Sequence, residues 1–343
     1  MNCNYLTNSL HIDINGNVFP CTVSSSFSAA NMGSIYNTSL EDIYKNIKEK
    51  NSSKCRDYCN RCLQYEKSFR GWNNSIEDYY FLDIRFDNVC NFMCRMCSGE
   101  NSIAFKKEDA SIKEKNISSL ILKNISFINK FKKIYIGGGE PFLSPFFYTF
   151  LELLSKNKTI LLSSNISIIK SDILNALKQF NKVIFYPSID GIDEIGSYIR
   201  QGFKTDIFFK NFDILKTHFT CIPVVTVSAL NILSLDKIIK KLSNYTDINA
   251  IYLNILDSPK EFHISVLPSY LKTLYSAKIG SIKTLLTKDF IIDAPYNLYY
   301  GLENIDIALS TKTTLDFNNT KRLLSNVDLK RNQDYKILFE ESI

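Results

Sequence analysis

The chain has 343 residues, 45% hydrophobic, 22% charged and 13% aromatic, a profile that excludes disordered and fibrous classes and leaves ample length to bury a core. Its net charge of +6, from 41 basic and 35 acidic residues, is small for this length and singles out neither nucleic acid nor membrane as a partner. No run reaches the ~18 to 20 apolar residues of a bilayer span. The best, Cys221 to Leu233, is broken by Pro223, Thr226 and Ser228, and Met1-Asn2-Cys3-Asn4-Tyr5 has neither the basic start nor the apolar run of a signal peptide. A cytoplasmic protein with no membrane partner is expected.

The first predicted element is a hairpin. Ser9 to Ile14 alternates apolar and polar, Asn15-Gly16 is a strong turn signal, and Val18-Phe19 returns, which brings Cys3 and Cys21 near one another. Met32-Gly33-Ser34-Ile35 follows. A helix comes next, capped by Ser39 with Asp42 three residues on, and with Leu40, Ile43, Tyr44 and Ile47 on its apolar side. Cys55, Cys59 and Cys62 close the segment in a C-x3-C-x2-C run, followed by Glu66 and Arg70.

Tyr79 to Phe86 reads as a strand with Asp83 and Arg85 interposed among apolar and aromatic residues. Cys90, Cys94 and Cys97 then repeat the C-x3-C-x2-C spacing, in a loop at the strand's C-terminal end, where α/β proteins place their chemistry. Eight of the nine cysteines lie in the first 97 residues, and in a reducing compartment such clustering indicates metal ligands rather than disulfides. Three thiolates so close in sequence can wrap one soft metal centre. Zinc would normally close with a fourth Cys or His, and His11, His218 and His263 are all remote in spacing from both runs. The ninth cysteine, Cys221, sits beside Ile222, Pro223, Val224 and Val225 and reads as a buried small hydrophobe.

After the polar, Lys-rich stretch Ser102 to Lys130, a second strand, Lys133 to Ile136, runs into Gly137-Gly138-Gly139-Glu140-Pro141-Phe142. The glycines let a backbone come close to a ligand and hold the Glu140 carboxylate there. The turn lacks the Lys-Ser/Thr of a phosphate-cradling loop and is not the dinucleotide fingerprint. Taken together, Cys90, Cys94, Cys97 and Gly138, Gly139, Glu140, Pro141 resemble the signature of the radical S-adenosylmethionine (SAM) enzymes. The residue before the third cysteine, often aromatic in that family, is Met96 here. Strand-like runs at Thr159 to Leu162, Val183 to Tyr186, Val224 to Ser228 and Ile251 to Ile255 complete six β/α units. The expected fold is α/β, a partial (β/α)6 TIM-like barrel with a small N-terminal cysteine-rich auxiliary-cluster domain.

The resemblance implies that Cys90, Cys94 and Cys97 bind three irons of a [4Fe-4S] cluster whose fourth iron takes the amino and carboxylate groups of SAM. Glu140, with the backbone of Gly138, Gly139 and Pro141, would accept the methionine ammonium. Ser164, Asn165, Ser188 and Asp190 match positions that contact the ribose or the methionine carboxylate, although each also suits ordinary strand-ending turn chemistry. Arg200 could bind that carboxylate bidentately, or be an exposed helix arginine. The implied reaction is reductive cleavage of SAM to a 5′-deoxyadenosyl radical that abstracts a hydrogen from a substrate carbon.

The leading segment resembles the SPASM/Twitch auxiliary-cluster domain, placed before the barrel rather than after it. Cys3-x12-Gly16-x4-Cys21, the Gly33-Ser34-Ile35 and Ser39-to-Ile43 stretches, and Cys59-x2-Cys62 with a trailing glutamate carry the likeness. It implies a second [4Fe-4S] cluster on Cys3, Cys21, Cys59 and Cys62, with Cys55 as the alternative should Cys3 not reach, and a structural zinc as the alternative to the cluster. The resulting division is 1–75 auxiliary domain, 76–260 radical SAM barrel and 261–343 an extension packing on the barrel.

By resemblance the chain is a radical enzyme that modifies a peptide, with flavodoxin or ferredoxin as electron donor. A radical dehydrogenase of a sugar or alcohol, acting on a small-molecule substrate, is the alternative. RNA modification is a further one, though no RNA-binding module is recognisable and no nucleic acid partner is expected. The rival of a different class is a zinc-stapled nucleic-acid-binding protein, which has no need of Gly138-Gly139-Glu140-Pro141.

Overall fold

Asp13, Asn15 and Gly16 reverse the chain between β1 (Ser9–Ile12) and β2 (Asn17–Phe19) in the computed structural model. The model describes Cys3, residues 5–50, Cys59, residues 77–283, Leu286 and residues 298–339. One Asp13 carboxylate oxygen accepts from the backbone N–H of both Asn15 (2.8 Å) and Asn17 (2.9 Å), and Gly16 turns with φ +75°, a conformation glycine adopts without steric cost. The register pairs His11 with Phe19 and Ile12 with Val18. All four β1 residues are buried, so the alternation in sequence separates two covered faces rather than a wet and a dry one. The predicted helix is Leu40–Lys50. The Ser39 hydroxyl accepts from the Asp42 N–H at 3.2 Å, and Leu40, Ile43, Tyr44 and Ile47 are buried.

The chain divides into two units. The first comprises Met1–Asn91, Gly99–Tyr186 and Ile214–Cys221. Its core is an eight-stranded sheet containing β1, β2, β3 (Gly33–Ser34), β4 (Phe81–Arg85), β6 (Lys133–Gly137), β7 (Thr159–Ser164), β8 (Lys182–Pro187) and β10 (Thr220–Cys221). The strands run in the order β10-β8-β7-β6-β4-β1-β2-β3. From β10 to β1 the pairs with a resolved register are parallel, and the hairpin adds two antiparallel strands at the edge. Leu82, Ile84, Ile134, Ile136, Ile160 and Leu162 occupy alternate positions and are fully buried, each stabilising the fold by about 2 kcal/mol relative to exposure. Helices Phe147–Leu153 and Ser171–Leu177 follow β6 and β7, and each buries an apolar stripe. Just past β4, Phe86 meets Phe146 and Phe150 edge to face at 5.3 and 4.8 Å.

The second unit comprises Phe92–Ser98, Pro187–Asp213 and Ile222–Ile343. It contains a parallel pair, β11 (Val224–Val227) with β12 (Tyr252–Ile255), and an antiparallel pair, β5 (Met93–Cys94) with β9 (Arg200–Gln201). The predicted strand Val224 to Ser228 is β11, and a short strand before it, β10, is parted from it at Ile222-Pro223, where proline supplies no N–H to a ladder. Helix Leu235–Leu242 buries Leu235, Ile238, Ile239 and Leu242 and turns Lys237 and Lys240 outward. Helix Leu298–Ser310 packs close to β12, since a Cβ on Gly301 would stand 2.8 Å from the Leu253 side chain. Helix Phe317–Arg331 starts at the Asp316 cap and ends at Asn332 in the left-handed conformation.

Candidate active site

Within the first unit, the segment that leads from β4 to Cys90 lies against the glycine turn. The Glu140 N–H donates to the Val89 carbonyl at 2.7 Å and the Gly139 N–H to the Asp87 carbonyl at 3.3 Å. A Cβ on Gly139 would sit 2.2 Å from the Val89 oxygen, and Gly138 turns with φ +115°. The close approach these glycines permit includes one to the chain's own Asp87-to-Val89 backbone. Asn88 is fully buried, its amide donating to the carbonyls of Gly99 (3.2 Å) and Lys113 (3.0 Å). The Asp87 carboxylate accepts from the Ser144 hydroxyl at 2.5 Å, and burial pushes its carboxyl up.

Glu140 is 1% exposed, and its carboxylate is held by the chain itself. It accepts from the Ser164 hydroxyl (2.7 Å), the Asn165 N–H (2.7 Å) and the Phe142 N–H (3.2 Å), bonds that a charged acceptor strengthens. The Asn165 side chain donates to Asn91 Oδ1 at 3.0 Å and stands 4.0 Å from the Cys90 sulfur, while Asn91 donates to the Ser167 hydroxyl at 2.9 Å. The structure therefore brings together Gly139, Glu140, Ser164, Asn165 and Cys90 at the ends of β4, β6 and β7.

Within the second unit, Cys94 pairs in register with Arg200 across β5 and β9. The Cys97 N–H donates to the Cys94 carbonyl at 2.9 Å, the tight turn that the short Cys94–Cys97 spacing calls for. Burial pushes the Cys94 thiol up, while the Arg200 guanidinium, which hydrogen-bonds it, and the Arg331 charge pull it down. Arg200 also pairs with Asp190, Nη1 to Oδ2 at 3.1 Å. Asp190 accepts the Thr226 N–H at 2.7 Å, and the Asn231 amide donates to the Asp190 and Thr226 carbonyls. Burial pushes the Asp190 carboxyl up against these partners. Ser188 bridges to Val224, at the start of β11.

Sequence reasoning missed the surroundings of Arg95, although its place between Cys94 and Cys97 was visible. Its guanidinium lies 3.7 Å from the Tyr198 ring centroid and donates to the Tyr198 carbonyl (3.0 Å), Asp328 Oδ1 (2.5 Å) and Gln333 Oε1 (2.8 Å). The Tyr198 hydroxyl donates to the same carboxylate, and Arg331 Nη1 donates to the Met93 carbonyl at 2.8 Å.

At the N-terminus, Cys3 and Cys21 pack against a small apolar cluster of Leu6, Phe19, Ala30 and Cys59. Burial pushes the Cys3 thiol up, with the Cys21 and Cys59 sulfurs adding to the rise. Cys55, Cys62 and Glu66 lie outside the described residues. No disulfide links the described cysteines, and among the described residues no three His, Cys, Asp or Glu side chains are drawn tightly enough together to hold a metal ion. Soft thiol donors in short loops are the ligand chemistry that iron–sulfur clusters take, so the donor set fits such a group.

Residues 84–242 match the model of the radical SAM superfamily, and residues 3–63 match that of the SPASM iron–sulfur cluster-binding domain, together more than half of the chain. No curated protein sequence matches. Among solved structures, Streptococcus suis SuiB bound to S-adenosylmethionine is similar at 12% identity and TM-score 0.42, over 72% of this chain and 51% of that one. SuiB bound to precursor peptide SuiA is similar at 13% and 0.42, over 72% and 53%. Native anSMEcpe with bound AdoMet and Cp18Cys peptide is similar at 18% and 0.42, over 60% of each chain. The chain spans about half the length of the SuiB chains it matches. The chain thus carries a radical SAM domain over residues 84–242 and a SPASM domain over residues 3–63. Its fold is α/β with a parallel sheet, and its cofactors are a [4Fe-4S] cluster and SAM. Among the described residues no helix is long and apolar enough to cross a membrane.

Proposed function

We propose that the chain is a peptide-modifying radical SAM enzyme that abstracts hydrogen from a substrate carbon. In this reading Cys90, Cys94 and Cys97 hold the SAM-binding cluster, and Cys3, Cys21, Cys59 and Cys62 hold an auxiliary one, within the division 1–75, 76–260 and 261–343. When bound and reduced, the first cluster supplies the electron that cleaves the sulfonium C–S bond of SAM and so furnishes the 5′-deoxyadenosyl radical. Asn165 orients the Cys90 end of the loop, and Arg200 offers Cys94 a positive counter-charge. Gly138, Gly139, Glu140 and Pro141, with Ser164, Ser188, Asp190 and Arg200, are the proposed surroundings of SAM. The cytoplasm, with flavodoxin or ferredoxin as donor, is the proposed setting.

One observation supports an auxiliary cluster working with the barrel. The three described cysteines of the SPASM segment gather on a lobe whose hairpin belongs to the same sheet as β4, with His11 in register with Asp83. The preference for a peptide comes from the presence of that domain. Anaerobic incubation of the reconstituted enzyme with SAM, reductant and candidate precursor peptides tests it. A peptide losing two hydrogens as 5′-deoxyadenosine forms is the result expected. Turnover of a sugar or alcohol with every peptide unchanged would replace this reading with that of a small-molecule dehydrogenase.

A further inference from the structure

The loop that carries Cys94 and Cys97 is held by residues more than 230 positions away in sequence. Arg95 donates to Asp328 Oδ1 at 2.5 Å, and Arg331, one helical turn further on, donates to the Met93 carbonyl at 2.8 Å. The Arg95 and Asp328 side chains are 1% and 8% exposed, so their opposite charges meet out of water, where charge interactions are strong. Asp328 is fixed in turn, accepting from the Tyr198 hydroxyl at 3.0 Å and the Tyr335 N–H at 2.7 Å. One face of a single helix, Phe317–Arg331, thus contributes an anion that offsets the loop's own arginine and a cation that binds the loop backbone.

We infer that Asp328 and Arg331 are positioning residues that seat the Cys94–Cys97 loop and, through their opposite charges, set the reduction potential of the cluster bound there. The inference rests on the reading that Cys90, Cys94 and Cys97 hold that cluster. Reduction adds one negative charge to the cluster, which a nearby cation favours and a nearby anion opposes. Removing the Asp328 charge leaves Arg95 uncompensated and raises the potential, whereas removing the Arg331 charge lowers it. Simple loosening of the loop has no reason to produce shifts of opposite sign.

The test is an EPR-monitored redox titration of the full-length, reconstituted protein, following the signal that SAM perturbs. At a fixed potential, Asp328→Asn should raise the ratio of reduced to oxidised cluster about tenfold, or ~59 mV for a one-electron couple, and Arg331→Gln should lower it by a similar factor. Asp328→Glu, which restores the carboxylate, should return the ratio toward wild type. Shifts of the same sign, or none, overturn the inference. Should Asp328→Asn fail to fold, Arg331→Gln decides alone, a fall supporting the inference and no change overturning it. The Cys90→Ala/Cys94→Ala/Cys97→Ala variant separates the two claims. If the SAM-perturbed signal survives in it, the cluster assignment falls and this inference with it. If the signal is lost there yet neither charge variant moves the potential, only the inference falls.

Discussion

The Thr22 hydroxyl donates to the Asp83 carboxylate at 2.5 Å, across 61 residues of sequence. Thr22 follows Cys21 directly and Asp83 is the middle residue of β4, so this bond ties a cysteine of the SPASM lobe to the strand that leads to Cys90. The same carboxylate takes His11 Nδ1 at 3.1 Å and Arg85 Nη1 at 3.1 Å.

Asp83 makes stability sensitive to acid. Burial alone would lift its carboxyl, but Arg85, His11 and Thr22 outweigh burial and hold it down at about 2, against an ordinary 3.8. A carboxyl lowered by folding stabilises the fold above its unfolded value, and the contribution is lost as pH falls through the folded one, here between about pH 4 and pH 2. Its size is on the order of 2 kcal/mol. Urea unfolding of the cluster-free protein should show wild type ahead of Asp83→Asn at about pH 6, with the gap narrowing below about pH 4. A gap that stays constant over that range would show that Asp83 does not carry the acid sensitivity.

Replacing Glu140 separates its structural work from any role toward SAM. Glu140→Ala leaves the Ser164 hydroxyl and the Asn165 N–H without their acceptor in a buried site and should cost roughly 3 kcal/mol. Glu140→Gln keeps one acceptor oxygen and should cost less. If Glu140 also meets the methionine ammonium, the Gln variant weakens SAM binding at least tenfold in equilibrium dialysis while unfolding near wild type. Unchanged affinity would confine the residue to joining β6 and β7.

Gly139→Ala should be more damaging than a surface methyl. The added carbon would stand 2.2 Å from the Val89 carbonyl oxygen, so the segment before Cys90 must move. Iron content after reconstitution should fall although the three cysteines are intact, with a stability loss of about 2 kcal/mol or more. Wild-type iron with wild-type stability would mean that the turn yields without displacing the cysteine loop.

Iron per chain checks the two-cluster reading directly. Wild type should bind about eight irons and the variant lacking Cys90, Cys94 and Cys97 about four, at four per cubane. About four falling to none would remove the auxiliary cluster from the reading and leave the radical enzyme. Stoichiometric zinc without iron would point to the binding-module alternative.

What was legible in the sequence was local. The two cysteine runs, the Gly138-to-Pro141 turn, the Asn15-Gly16 hairpin and the Ser39 cap depend on residues a few positions apart, and each leaves its own pattern. Strand partnership does not, because alternation tells which face of β1 is apolar but not that β1 lies beside β4. Arg200 was open to reading as an exposed helix arginine and instead stands opposite Cys94 in a two-residue strand too short to leave a periodic trace. The pairing of Arg95 with Asp328 leaves no local pattern, since a charge pair across 233 residues has no spacing to recognise.

That long-range pairing orders events during synthesis. Cys94 and Arg95 leave the ribosome more than 230 residues ahead of Asp328, which at roughly 5 to 20 residues per second is a delay of about 10 to 50 s. For that interval a thiol-bearing loop exists without the helix that later grips it. The hold on the loop therefore waits for residues made long after the loop itself.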